Sequence, residues 1–225
     1  MTATSAAGRP SRRGFSLGDA AREFRRHPSP WMIGGTLVAA LAARIAIGDW
    51  QPTDALVPLV MLAVFPFVEW TVHVVILHWR PRRFGPLVVD PLLARKHRAH
   101  HVDPRDVPLI FIPWQALLWI LPAALAVALL APRLGLGLTF LVCLTAFGLA
   151  YEWCHYLIHS DYKPTSAAYR AVWRHHRHHH FRNEHFWFTV TTSGTADRVL
   201  GTAPDPDAVP VSPTARNLHG ATPGR

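Results

Sequence analysis

Residues 134–159 read LGLGLTFLVCLTAFGLAYEWCHYLIH, an apolar run from Leu134 to Leu157 of membrane-spanning length that closes on Glu152, His155 and His159. His155 and His159 are four apart and stack on one helical face, with Glu152 about one turn behind. A carboxylate beside two imidazoles at membrane depth is costly unless paired. The two histidines therefore read as metal ligands, and Glu152 as the carboxylate that orients one of them through its other ring nitrogen. Both features recur along the chain. Apolar stretches of similar length run from Trp31 to Ile47, Leu56 to Leu77 and Leu109 to Ala131, and histidines gather in three further places.

His73 and His78 end the second stretch. Five residues apart, they diverge by about 140° on a regular α-helix, so they share a metal only off the helix tip or where the helix loosens. Glu69, four before His73, reads as a second orienting carboxylate. His97, His100 and His101 follow at i, i+3 and i+4, which brings three imidazoles to one face. The last group lies in the run 175–180, HHRHHH. There His175 with His178 and His179 has the same spacing as His176 with His179 and His180, so spacing leaves the register open. His175, His178 and the nearby His185 are candidate extra ligands. Neutral imidazole binds iron, zinc and copper, and ten clustered histidines exceed what one mononuclear site needs. Two metal ions are the natural reading.

Half of the residues are hydrophobic and only 16% are charged, against about a quarter in soluble domains. The chain is read as an all-α integral membrane protein: four transmembrane helices with a cytoplasmic helical cap holding a histidine-rich di-metal site. Of the 23 Lys and Arg, 21 lie before the first stretch, between the second and third, or after the fourth. By the positive-inside rule these segments are cytoplasmic, together with both termini and all four histidine groups. The exceptions are Arg133 and Arg44, and Arg44 is expected to snorkel from the first span to the interface. A net charge of +9 on membrane margins suits anionic lipid and argues against nucleic acid. Cys143 and Cys154, about 16 Å apart along one helix, cannot bridge each other. The first apolar run starts only at Trp31, so no secretory signal of the usual kind is expected. Residues 1–30 are expected to form a basic cytoplasmic arm, disordered over its first dozen residues. Phe15 to Arg26 is either flexible or an interfacial helix with Phe15, Leu17 and Phe24 toward lipid. The membrane domain occupies 31–202, and the proline-rich 203–225 is expected to be an irregular or disordered tail.

Together the motifs resemble the fatty acid hydroxylase/sterol desaturase superfamily, whose pattern is H-x4-H, H-x2-H-H, H-x3-H and H-x2-H-H. Here it is met by His73 and His78; His97, His100 and His101; His155 and His159; and His176, His179 and His180. The likeness extends to HRAHHVDPRDVPLIFIP (97–113), to Tyr151–Pro164 and to His176–Thr202, and spans roughly 28–202. Keeping Phe181-Arg182-Asn183 after the last histidine pair favours His176 over His175.

The resemblance implies a di-iron, dioxygen-dependent oxidoreductase of the inner membrane, with no catalytic residues beyond the metal ligands and with zinc a possible substitute. It implies hydroxylation of a membrane lipid's acyl chain near its carboxyl end. No haem or flavin segment is expected in the chain, so electrons would come from a separate reductase or carrier protein docking on the basic face. Carotenoid hydroxylation and sterol oxidation or desaturation are the alternatives within the superfamily. A membrane metal-binding or transport protein is the alternative of another class, but ionisable groups here stop near one face instead of continuing across the bilayer. Glu184, His185 and Trp187 depart from the family's small or aromatic neutral residues.

Overall fold

The computed structural model describes residues 14–220; the first dozen residues, expected to be disordered, and the last five lie outside the described residues. Helix α1 (Leu17–Phe24) is started by a reciprocal cap in which the Ser16 hydroxyl accepts from Asp19 N and the Asp19 carboxylate accepts from Ser16 N. Of the two readings of this stretch, flexible arm or helix, the helix forms, but Phe24 does not face lipid. It is buried against Phe111, Trp153 and Tyr156, with ring centroids 5.1–6.0 Å away. Leu17 stays exposed.

Among the described residues, four helical segments are long and apolar enough to cross a membrane: Pro28–Ile47, Pro52–Leu77, Val107–Leu129 and Leu134–His159. Their main helices are α2 (Pro28–Ile47), α3 (Leu56–Thr71), α6 (Trp114–Leu129) and α7 (Leu134–His159), with α4 (Leu92–Val102) and α5 (Val107–Ile110) between α3 and α6. Pro28 and Pro30 stand in the first turn of α2, where proline removes no helical hydrogen bond. The outer faces carry exposed Val38, Leu59, Leu118 and Trp119, the last 80% exposed. An apolar rim of that kind belongs in lipid, where the intrahelical bonds satisfy the backbone.

α7 is the central post of the bundle. Ala40, Ala124, Ala128 and Leu141 bring α2, α6 and α7 together through small side chains. Gly137 makes the closest approach: a Cβ there would lie 1.8 Å from the Ala128 carbonyl oxygen. At this end of the bundle Arg44 is 1% exposed and does not snorkel. It pairs with Asp54 at 2.6 Å, donates to Thr139 Oγ1 at 2.9 Å and lies over the Trp50 ring at 3.5 Å. Arg133 joins Asp49 at 2.7 Å and also reaches Asp54. The two arginines that broke the charge pattern are thus neutralised by the two aspartates of the same loop.

The histidines lie at the other end, under α4, α5, α8 (Ala167–Phe181) and α9 (Thr195–Val199), beside a short antiparallel hairpin of β1 (Arg82–Phe84) and β2 (Leu87–Val89). The proline-rich segment is irregular but packed. Val209, Ala215 and Leu218 are buried, and Ser212 N donates to Arg182 O at 2.7 Å.

Gly137→Val should force α6 and α7 apart and destabilise the bundle by about 1–3 kcal/mol, as overpacking does. Gly34→Ala, with open space around its Cβ, should leave the thermal midpoint in detergent unchanged.

Candidate metal centre

The second span does not end as a regular helix. Residues Val72–Leu77 form a π-helical turn, closed by a bond from His78 N to His73 O at 3.0 Å. This wider turn is the loosening that i+5 spacing demands: it brings the two imidazoles to a ring separation of 5.0 Å. α4, α7 and α8 supply the rest.

Ten imidazoles converge in two groups of five: His73, His78, His97, His101 and His179; and His100, His155, His159, His176 and His180. Within each group one nitrogen per residue lies within 4.8 Å of all the others. The two H-x2-H-H motifs are used reciprocally. His97 and His101, at i and i+4 on α4, join the first group while His100 turns to the second. On α8, His176 and His180 join the second group while His179 turns to the first. The groups share a wall where His101 stacks on His180 at 4.2 Å.

The nitrogens fit cations better than they fit one another. His73 Nδ1 faces Phe188 O at 2.5 Å, His101 Nδ1 faces Ala215 O at 2.8 Å, His179 Nδ1 faces Phe186 O at 2.8 Å and His155 Nδ1 faces Ile110 O at 2.9 Å. A carbonyl only accepts, so each Nδ1 carries the proton and each Nε2 presents a lone pair in the neutral ring. His97 Nε2 lies 3.1 Å from both His73 Nε2 and His101 Nε2 and has at most one proton for the two. His155 Nε2 is buried with no hydrogen-bond partner at all. The other close pairs, His78 with His179, His100 with His159 and His176 with His180, stand at 3.1–3.3 Å. Two nitrogens about 2.1 Å from one ion, at right angles, are about 3.0 Å apart. Burial, and then the neighbouring imidazoles, hold His78, His97, His100, His101, His176, His179 and His180 well below the ordinary imidazole range, in the neutral form that binds metal.

The candidate extra ligands stand outside both groups. His175 Nε2 donates to Asp197 at 2.9 Å, His178 packs on Trp187, and His185 is exposed beside Glu184. Glu69 and Glu152 do not touch the imidazoles they were expected to orient, because backbone carbonyls occupy those ring nitrogens. They act one step further out. Glu69 accepts from Thr191 N and Oγ1 and from Thr192 Oγ1 at 2.6–3.0 Å, holding the strap that carries Phe188 O. Glu152 accepts from Ile112 N at 2.9 Å, holding the loop that carries Ile110 O. Glu184 repeats the pattern with Thr214, next to Ala215 O.

Asp197 is the site residue that motif spacing does not announce. Fully buried, its carboxylate accepts from Phe188 N, Thr189 N, Thr189 Oγ1, Thr202 Oγ1 and His175 at 2.6–2.9 Å. Burial alone would raise its pKa, but the hydrogen bonds from His175, Thr189 and Thr202 overcome this and hold it well below the carboxylate range. Thr202 in turn accepts from Trp70 Nε1 at 2.9 Å, tying the strap to α3.

Comparison with known proteins agrees with this architecture. Residues 58–202 match the fatty acid hydroxylase family. The chain belongs to that family. Two dihydroceramide fatty acyl 2-hydroxylases of Arabidopsis thaliana are similar to it: one is 28% identical over 75% of this chain and 69% of its own length, the other 26% identical over 79% and 72%. The visible hydroxylase domain of full-length Scs7p shares the fold, with a TM-score of 0.64 at 21% identity over 82% of this chain and 69% of that one. Hydroxylase relatives make the chain an oxidoreductase by descent, and its histidine groups are of a kind that could bind metal.

Two outcomes test this geometry. Asp197→Ala should destabilise the protein by about 3 kcal/mol or more, since it orphans several buried donors at about 1–3 kcal/mol each; Thr202→Val, which removes only the bonds to Asp197 and from Trp70, should cost less in the same melting assay. The buried imidazoles bind protons less readily folded than unfolded, so the unfolded chain takes up more protons below pH about 6.5. Stability of metal-stripped protein should therefore be full above that pH and fall as acid is added, and a flat thermal midpoint between pH 7 and 5 would contradict it.

Proposed function

We propose that the hydroxylase inserts one oxygen atom of dioxygen into a C–H bond of a membrane lipid's acyl chain, using two iron ions held by the ten grouped imidazoles. The observation that carries this reading is an apolar cavity of about 210 Å³ that runs up to His73 between α3, α4, α6 and α7. Val72, Leu93, Ile120 and Leu144 line it, a surface that suits an alkyl chain. Bound iron would supply the oxidising power that no side chain has. The chain's own residues do the remainder. His73, His78, His97, His101 and His179 would hold one ion, and the second group would hold the other. The carbonyls of Phe188, Ala215, Phe186 and Ile110 keep four of these rings in the ligating tautomer, and the apolar walls keep water from the reacting carbon.

Each turnover consumes dioxygen, two electrons and two protons, and yields the alcohol and one water. A separate reductase or carrier protein supplies the electrons at the basic end of the bundle, which faces the cytoplasm of an inner membrane by the positive-inside rule. The relatives named as 2-hydroxylases support attack close to the carboxyl end of the chain.

Mass spectrometry of lipids from cells with and without the protein, supplied with isotopic dioxygen, should find an acyl lipid that gains one labelled oxygen. Label only in a carotenoid or sterol would overturn the acyl reading. Leu144→Trp, which fills the cavity, should lower the product about ten-fold or more with metal content intact, as pocket occlusion does.

A further inference from the structure

A second cavity, of about 200 Å³, lies on the far side of Ile112, at the same end of the bundle. His27, Ser29, Lys96, Ile112, Trp114 and Gln115 line it. It differs from the apolar cavity in kind, with an ammonium, an amide, a hydroxyl and an imidazole around a small volume. The two share walls. Ile112 lines both, and on α4 Leu93 faces the apolar cavity while Lys96, three residues on and so on the same helical side, faces the polar one.

The polar cavity is walled by buried polar groups. Ser29 is 1% exposed and its hydroxyl is within reach of the Glu152 carboxylate, which also accepts from Ile112 N. His27 Nε2 is buried and comes only within 3.4 Å of Glu23, without the alignment of a hydrogen bond, while its ring stacks on Phe111 at 4.1 Å. A buried ring nitrogen left open at a cavity calls for a polar occupant. Lys96 and Gln115, at the exposed rim, can donate to an oxygen from above.

We propose that the two cavities are the ends of one lipid site: the polar one binds the carbonyl end of the acyl substrate, and the chain passes Ile112 into the apolar one beside His73. The inference rests on the acyl-lipid reading above. The ligand chemistry is an acyl carbonyl with its attached oxygen or nitrogen, from either a fatty acid carboxylate or an N-acyl amide with a hydroxylated head. Anchoring at the carbonyl fixes how far the chain reaches, so the oxidised carbon is counted from that end whatever the chain length.

The test uses the full chain in lipid nanodiscs, with and without metal, and two photoactivatable probes that carry a diazirine beside the carbonyl, one a free fatty acid and one an N-acyl amide. Cross-links should fall on the peptides holding Lys96, Trp114 or Gln115, and the better-labelling probe identifies the head. Lys96→Met should lower this labelling about ten-fold, the worth of a charge-assisted hydrogen bond, and Gln115→Met should lower it less. Cross-links around Arg80 and Arg82, or labelling unchanged in both variants, would overturn the head site while leaving acyl oxidation standing wherever labelled product still forms. No specific labelling by either probe would overturn it as well, and with no oxidised acyl lipid the underlying reading would fall too.

Discussion

Ten neutral imidazoles cannot be buried side by side, lone pairs facing, unless something positive lies between them. That electrostatic constraint organises this protein. Hydrogen bonds among the rings do not relieve it, since one His97 nitrogen has two imidazole neighbours and at most one proton to give. Protonating the rings does not relieve it either, because burial and mutual repulsion oppose the charge. A divalent ion in each group of five would satisfy all the lone pairs at once. The spacing of the nitrogens near 3.1 Å is what shared coordination produces.

The surrounding fold serves this arrangement in layers. Carbonyls from the segment after α8 and from the stretch before α6 lock four rings through Nδ1. Buried carboxylates then lock the straps that carry those carbonyls, Glu69 and Asp197 for Phe188, Glu152 for Ile110 and Glu184 for Ala215. The carboxylates sit one layer away from the rings, where their hydrogen bonds steady the scaffold and leave the nitrogen lone pairs free for metal. The packed proline-rich segment belongs to the same layer, because Ala215 lies within it.

Much of this is legible in the sequence, for reasons specific to each element. The four spans follow from apolar length, and the grouping of histidines follows from i, i+3 and i+4 geometry. The i+5 pair is legible only as a demand, that the helix loosen, and the π-helical turn meets it. Partners that are backbone carbonyls leave no mark in a sequence, which is why Glu69 and Glu152 read as direct orienters when they hold loops instead. His175 looks like a ligand by spacing, yet Asp197, 22 residues on, draws it away. Arg44 reads as snorkelling because its partners, Asp54 across the α2–α3 connection and Thr139 on α7, meet only once the helices pack, and Phe24 reads as lipid-facing because Phe111, Trp153 and Tyr156 are distant in the chain.

The most direct test of this account is the metal content of the protein purified from membranes in mild detergent, measured by elemental mass spectrometry against accurate protein concentration. The account predicts about two ions per chain, one for each group of five imidazoles. One ion per chain, or none after loading with ferrous iron under anaerobic conditions, would contradict it.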